Sequence, residues 1–148
     1  MTRIQTFNLN SKFFIRHHNF EGEINELDRP GPISDFEWQV KFLRMDNGFR
    51  LVAFKSLSPA GFHLRHKGFR LVLERPDGSD QFKQDNAFRE VPPLVGDPNA
   101  GWRSYQAFQQ EFSDRFIGHK TFHLWLRDRA EPGMAADSTF RLVDRIDD

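Results

Sequence analysis

The sequence predicts an all-β fold of three pseudo-symmetric, four-stranded repeats, a β-trefoil. Three observations support it: a motif centred on a histidine occurs three times, a motif led by an aspartate follows each copy, and short alternating segments are separated by turn residues. The histidines are 49 and 53 positions apart, and the aspartates follow them by 18, 19 and 18 residues. Two motifs that keep one register through three copies indicate internal repeats.

Repeat one spans about residues 3–43. Residues 4–9 alternate between polar and apolar side chains, which is typical of a half-buried strand. Three further strands are predicted at residues 13–17, 20–27 and 38–43. Pro30 and Pro32 separate the third strand from the fourth, because proline lacks a backbone donor and has a fixed φ.

Repeat two spans about residues 49–93, and the turn sequence Asp46-Asn47-Gly48 marks its start. Its strands are predicted at residues 49–54, 62–66, 69–74 and 87–91.

Repeat three spans about residues 102–146. Its strands are predicted at residues 104–108, 116–119, 122–127 and 139–143. Residues 106–114 have an alternative interpretation as a helix, because Phe108 and Phe112 are four residues apart. The equivalent segments of the other repeats favour a strand.

Twelve short strands in three units describe a closed six-stranded barrel capped by hairpins. Closure leaves no exposed sheet edge. We expect one domain over residues 1–148, which is long enough to bury a core. Two sets of aromatic residues are expected to meet in that core near the threefold axis: Phe20, Phe69 and Phe122, and Trp38, Phe88 and Phe140.

Composition narrows the possible partners. The chain has 21 basic and 21 acidic residues and no cysteine, so neither nucleic acid nor a membrane surface is an expected partner, and no disulfides are expected. The amino terminus has no apolar run of the length that a signal peptide needs. We therefore expect a chain that is cytoplasmic or exported by another route.

The repeated motifs resemble a known family. His-Leu-Arg-His-Lys-Gly-Phe at residues 63–69 and Asp-Asn-Ala-Phe-Arg-Glu-Val-Pro at residues 85–92 are similar to motifs of the arabinofuranose-binding (AbfB-type) domains, carbohydrate-binding module family 42. That resemblance spans nearly the whole chain. It implies a non-catalytic domain that recognises arabinofuranosyl side chains of arabinoxylan or arabinan, with up to one shallow site per repeat.

The resemblance also implies the site residues. In the family, the motif histidine and aspartate of each repeat hold the sugar. The implied ligand-binding residues are His17, Asn19, Asp35, His66, Asp85, His119 and Asp137. The family's asparagine is retained only at Asn19, and Gly118 stands in repeat three where the family has arginine.

The chemistry of these residues suits a sugar, because an ionised aspartate accepts from two hydroxyls and a neutral imidazole adds a donor or an acceptor. Each site should be weak, with a free energy of binding of about 4 kcal/mol, and three sites on one body would gain avidity. The alternative interpretation is structural, since aspartates cap turns and a histidine at a strand end bonds a carbonyl.

Other activities are less consistent with the sequence. Glycoside hydrolysis needs two carboxylates roughly 5 to 10 Å apart, whereas the motif aspartates occupy equivalent places in three repeats. His119 and His123 have the spacing of helical zinc ligands, but their segment is predicted as a strand. No metal and no cofactor are expected.

A second function class remains open at this stage. The chain could be a protein-interaction trefoil that has kept the scaffold and lost sugar binding, with residues 94–101 as the contact loop. In either case the expected form is a monomer.

Overall fold

The computed structural model of the protein describes residues 1–144, and its strands form one connected sheet of 12 strands. The strands are β1 Thr2–Thr6, β2 Phe13–His18, β3 Glu21–Glu26, β4 Trp38–Asp46, β5 Phe49–Ser56, β6 His63–Lys67, β7 Arg70–Glu74, β8 Phe88–Val91, β9 Trp102–Ala107, β10 Arg115–Lys120, β11 His123–Asp128 and β12 Phe140–Asp144. The helices are α1 Asp80–Asp85 and α2 Met134–Asp137, and single 3-10 turns lie at Leu9–Ser11, Ile33–Phe36, Pro98–Ala100 and Gln110–Phe112. Repeat one contains β1 to β4, repeat two β5 to β8 and repeat three β9 to β12.

Six strands close into a barrel. Strand β1 pairs with β4, β4 with β5, β5 with β8, β8 with β9, β9 with β12, and β12 with β1, all antiparallel. The other six form the hairpins β2–β3, β6–β7 and β10–β11. These hairpins meet through pairings of β3 with β7, β7 with β11 and β11 with β3. A closed six-stranded barrel capped by three hairpins is a β-trefoil, so the predicted fold class is confirmed.

One of the two predicted aromatic sets lies in the core. Trp38, Phe88 and Phe140, at or near the start of the last strand of each repeat, are each 0% exposed. They pack with aliphatic side chains of the hairpins in one continuous cluster. This part of the core prediction is correct because these residues face inward on barrel strands.

The prediction for the other aromatic set was wrong. Phe20, Phe69 and Phe122 are 57%, 39% and 52% exposed. Each is the second residue of a two-residue hairpin turn and has a positive φ, between 61° and 66°. A tight hairpin turn of this kind holds both central residues at positive φ and directs their side chains away from the sheet.

The backbone of these turns joins the repeats. The carbonyl of Phe20 accepts from the amide of Leu73 at 2.8 Å, that of Phe69 from Leu126 at 2.7 Å, and that of Phe122 from Ile24 at 2.9 Å. Each hairpin tip is therefore hydrogen-bonded to a strand of the next repeat around the axis. The recurring phenylalanine marks this contact between repeats and not a core layer.

The choice between strand and helix for residues 106–114 has a mixed outcome. Strand β9 ends at Ala107, and a 3-10 turn follows at Gln110–Phe112. The repeat boundaries remain a prediction, and residues 145–146 of repeat three lie outside the described residues. Among residues 1–144, no helix is long and apolar enough to cross a membrane.

Candidate functional site

The structure brings each motif histidine next to its motif aspartate. The distance from His Nε2 to Asp Oδ1 is 3.9 Å for His17 and Asp35, 3.6 Å for His66 and Asp85, and 3.8 Å for His119 and Asp137. Each histidine lies near the end of the first hairpin strand of its repeat. Each aspartate lies in the short helical segment before the last strand. The predicted pairing of the two motifs is therefore present in space in all three repeats.

Short helical segments, which the sequence interpretation missed, position the aspartates. Asp35 lies in the 3-10 turn Ile33–Phe36, Asp85 ends α1, and Asp137 ends α2. Ser79 caps α1, with its Oγ accepting from the amide of Phe82 at 3.1 Å. A serine three residues before a buried aromatic is the signal that could have revealed this helix.

An arginine holds the second oxygen of each aspartate. In repeat one Arg16 donates to Asp35 Oδ2, and in repeat two Arg65 donates to Asp85 Oδ2. Both arginines directly precede the motif histidine in the sequence. The guanidinium fixes the carboxylate and turns its Oδ1 toward the histidine.

Repeat three has the same ion pair, but the arginine comes from the facing strand. Gly118 stands at the position of Arg16 and Arg65, and Arg127 on β11 donates to Asp137 Oδ2 at 3.0 Å. A Cβ added to Gly118 would lie 2.8 Å from Arg127 Cγ and 2.2 Å from Ser138 Oγ. Glycine is thus needed so that Arg127 can reach the site. Although Gly118 replaces the arginine of the family motif, a guanidinium, that of Arg127, still binds Asp137.

A side-chain amide bridges the pair in repeats two and three. In repeat two Gln109 Nε2 donates to Asp85 Oδ1 at 2.6 Å, and Gln109 Oε1 lies 2.9 Å from His66 Nε2. In repeat three Asn8 Nδ2 donates to Asp137 Oδ1 at 2.7 Å, and Asn8 Oδ1 lies 2.8 Å from His119 Nε2. Since the amide oxygen can only accept, each histidine carries its proton on Nε2.

No amide bridges the pair in repeat one. Asn8 lies two residues after Thr6 of β1, which pairs with Phe140 of β12. Gln109 lies two residues after Ala107 of β9, which pairs with Phe88 of β8. The equivalent residue is Ser58, two after Ser56, which pairs with Trp38. Within residues 1–144, His17 Nε2 is buried and has no partner at hydrogen-bond distance, although the backbone of Ser58 lies near enough to His17 to raise its pKa. A buried polar atom without a partner is rare in native proteins, so repeat one has an unfilled polar position where the others have an amide.

Burial separates the repeats further, and the number of open sites stays a prediction. The aspartate side chain is 16% exposed in repeat one, 5% in repeat two and 27% in repeat three. Asp85 also accepts from Gln81 at 2.8 Å. In repeat two, therefore, two side-chain amides, those of Gln81 and Gln109, occupy the acceptor Oδ1. Four surface cavities of about 370 to 710 Å³ are lined by other residues and by no motif histidine or aspartate.

Asn19, the third residue implied for repeat one, lies in the turn of the β2–β3 hairpin. It is exposed and is the first residue of the β2–β3 turn, with φ of 52°. Its equivalents Gly68 and Thr121 have φ of 58° and 51°. Asparagine and glycine tolerate this left-handed conformation, which gives Asn19 a conformational role. Asn19 makes no hydrogen bond to His17 or Asp35 in the structure, and a role for it in binding stays a prediction.

The three motif histidines are neutral near pH 7. Burial lowers the pKa of His17, His66 and His119 below the usual 6.5, and the attraction of the adjacent aspartate only partly offsets that effect. A neutral imidazole can donate from one nitrogen and accept at the other. The pairs are therefore suited to hydrogen-bonding an uncharged hydroxyl group.

We expect the fold to lose stability as the pH falls below about 6.5. A histidine with a lowered pKa in the folded state binds protons less readily than in the unfolded chain, so its contribution is complete above the unfolded pKa and is lost as the pH falls through the folded pKa. The urea unfolding midpoint at pH 7.5, 6 and 5 measures this. A midpoint that stays constant or rises toward pH 5 would contradict the assignment.

Within residues 1–144, no group of three or more histidine, cysteine, aspartate or glutamate side chains could hold a metal ion. His123, which the sequence paired with His119 as a weak metal possibility, instead lies with its Nδ1 2.8 Å from Arg70 Nη2. That geometry makes His123 a hydrogen-bond acceptor for Arg70.

Residues 2–142 match a protein family described as the alpha-L-arabinofuranosidase B (ABFB) domain. No curated protein matches the chain. The family match covers all three repeats and both motifs of each.

Several solved structures share the fold. An arabinofuranosidase complexed with arabinofuranosyl-alpha-1,2-xylobiose aligns with a TM-score of 0.79 and 18% identity, over 95% of this chain and 30% of that chain. A BEL β-trefoil aligns with a TM-score of 0.64 and 15% identity, over 95% and 90%. An endo-β-galactosidase from Clostridium perfringens aligns with a TM-score of 0.65 and 10% identity, over 97% and 32%. At these identities the likeness shows the fold, and the chain spans about 30% of the arabinofuranosidase.

Proposed function

Because the chain belongs to the alpha-L-arabinofuranosidase B (ABFB) domain family, a family of carbohydrate-binding modules, we propose that it binds terminal arabinofuranosyl groups of plant-type polysaccharides such as arabinoxylan or arabinan. The observation that carries the proposal is the His17–Asp35 pair, which has the polar groups for a sugar and lacks the amide found in the other repeats. We further propose that the protein acts as a monomer and is not itself an enzyme.

Repeat one is the principal site in this proposal. Asp35 Oδ2 is held by Arg16, which leaves Oδ1 to accept from sugar hydroxyls. His17 Nε2 lies 3.9 Å from Oδ1, so one hydroxyl placed between them could contact both atoms. The unpaired Nε2 would then gain the partner that it lacks in the free protein.

Repeats two and three are closed by the protein's own amides. Gln109 and Asn8 each make the two contacts, one to the histidine and one to the aspartate, that a sugar hydroxyl group would make. A ligand would have to displace an amide that is already well bonded, and that exchange offers little net gain. The proposal therefore reduces the expected sites from one per repeat to a single principal site, and avidity between sites is not expected.

The environment of Asp35 supports binding without hydrolysis. A glycosidase needs two carboxylates roughly 5 to 10 Å apart on either side of the bond to be broken. In the described residues, the side chains paired with Asp35 are Arg16 and His17. Neither is a carboxylate, and the Asp35 carboxylate is itself held by an arginine.

Calorimetric titration with 4-nitrophenyl α-L-arabinofuranoside tests the proposal. We expect one site per chain and a dissociation constant on the order of millimolar, or about 4 kcal/mol. The matched control is 4-nitrophenyl β-D-xylopyranoside, which carries the same aglycone on a six-membered ring and should not bind. Absence of binding for both glycosides at saturating concentration would refute the proposal.

A further inference from the structure

Three neighbouring cavities form one continuous groove on the outside of repeats two and three. Their volumes are about 710, 470 and 420 Å³. The first and second cavities share Arg89 and Gln110, and the second and third share Phe49 and Gln106. We call this surface the lateral groove and define it by Asn47, Phe49, Gln84, Arg89, Gln106 and Gln110.

Arg89 organises the lateral groove and has its charge neutralised. Its Nε donates to Asp46, its Nη1 to the carbonyl of Ala107 at 3.2 Å, and its Nη2 to the carbonyl of Phe108 at 3.0 Å. These bonds tie the tip of the β4–β5 hairpin to the end of β9. Arg89 is therefore not available as a free cation for an anionic ligand.

The lining of the groove has no net charge: besides the Asp46–Arg89 pair it contains one acidic side chain, Glu111, in the first cavity and one basic side chain, Arg129, in the third. The side-chain amides of Asn47, Gln84 and Gln110 are exposed and make no hydrogen bond within residues 1–144. An amide offers two donors and an acceptor without a net charge. A row of such groups matches the hydroxyls of a neutral sugar chain.

Phe49 gives the groove a free aromatic surface. It lines the second and third cavities and is 37% exposed. Its ring has no aromatic or cationic partner in the described part of the chain, whereas Phe108 has Arg44 and Arg89 at 5.3 and 5.4 Å from its ring centre. Binding sites for organic ligands combine such an apolar face with a few convergent polar groups, and the apolar face of a sugar ring fits against it.

We propose that the lateral groove binds the main chain of an uncharged polysaccharide. This site is separate from the His17–Asp35 pair, and it rests on the proposed function in that the protein's ligand is a polysaccharide. The groove also begins beside repeat two, because Gln109, which bridges His66 and Asp85, lines its first cavity.

Titration with unsubstituted xylohexaose, followed by NMR, tests the groove without involving the furanose site. We expect saturable shifts of the backbone amides of Phe49 and Gln110. Phe49→Ala should weaken binding about tenfold. Phe42→Ala is the matched control, because Phe42 is 47% exposed on the same hairpin and does not line the groove.

The proposal fails if xylohexaose moves no groove resonance at its solubility limit, or if Phe49→Ala binds as tightly as the natural chain. Equal binding of an oligogalacturonate of the same length would overturn the assignment to an uncharged chain. His17→Ala keeps the two sites distinguishable: it should retain xylohexaose binding and lose the arabinofuranoside. Loss of xylohexaose binding in His17→Ala would show that the oligosaccharide binds at repeat one and would contradict the proposal.

Discussion

Replacing His17 by alanine is expected to weaken binding of 4-nitrophenyl α-L-arabinofuranoside about tenfold or more. The change removes one hydrogen bond at a buried site, which costs about 1 to 3 kcal/mol, and each 1.4 kcal/mol is about tenfold in affinity. No other repeat compensates, because Gln109 and Asn8 close the pairs in repeats two and three. Calorimetric titration of the variant measures the loss.

Two controls separate binding from folding in this experiment. His18→Ala changes the exposed neighbour on the same strand and should leave affinity unchanged. The thermal midpoint of His17→Ala should show that the variant is folded at the temperature of the titration. A folded His17→Ala variant with the affinity of the natural chain would remove repeat one as the site.

Replacing Asp85 by alanine is expected to lower the free energy of unfolding by about 3 to 5 kcal/mol, the usual cost of removing one partner of a buried ion pair. Asp85 accepts from Arg65, Gln81 and Gln109, so the change leaves several donors without an acceptor. Urea denaturation of the variant gives the difference directly. Under conditions in which the Asp85→Ala variant is folded, it should bind the arabinofuranoside as the natural chain does.

The control for that measurement lies on the same helix. Asp80 is exposed in the first turn of α1, and Asp80→Ala should cost no more than about 1 kcal/mol through its interaction with the helix dipole. If Asp85→Ala were as stable as Asp80→Ala, Asp85 would not have the structural role that its contacts indicate. It would then be a better candidate for ligand binding.

The threefold architecture was predictable because the signals that define it are periodic. Trp38, Phe88 and Phe140 occupy equivalent barrel positions, and the spacing of the turns identified the hairpins. Phe20, Phe69 and Phe122 recur just as regularly, yet they are exposed. Repetition shows that a position has the same role in each repeat, but it does not show whether that role is burial or a backbone contact between repeats.

The pairing of histidine and aspartate was also predictable, because a fixed spacing on a repeated fold brings both motifs to the same place in each repeat. The bridging amides were not. Asn8 lies 111 residues from His119, and Gln109 lies 43 residues from His66, and each belongs to a different repeat from the pair it bridges. Arg127 was missed because it lies on the facing strand β11 and not at the motif position, which Gly118 occupies.

These differences explain how one scaffold carries unequal sites. Each repeat retains an aspartate held by an arginine next to a neutral histidine. What varies is the residue that the adjacent repeat places over them: Ser58 over repeat one, Gln109 over repeat two and Asn8 over repeat three. The proposed function therefore implies that binding capacity is set at the junctions between repeats.

The most direct test of the single-site account is an NMR titration of the imidazole nitrogens with 4-nitrophenyl α-L-arabinofuranoside. The account predicts a saturable shift of His17 Nε2, while the resonances of His66 and His119 stay in place because Gln109 and Asn8 hold them. A saturable shift of His66 or His119 with no change at His17 would contradict it.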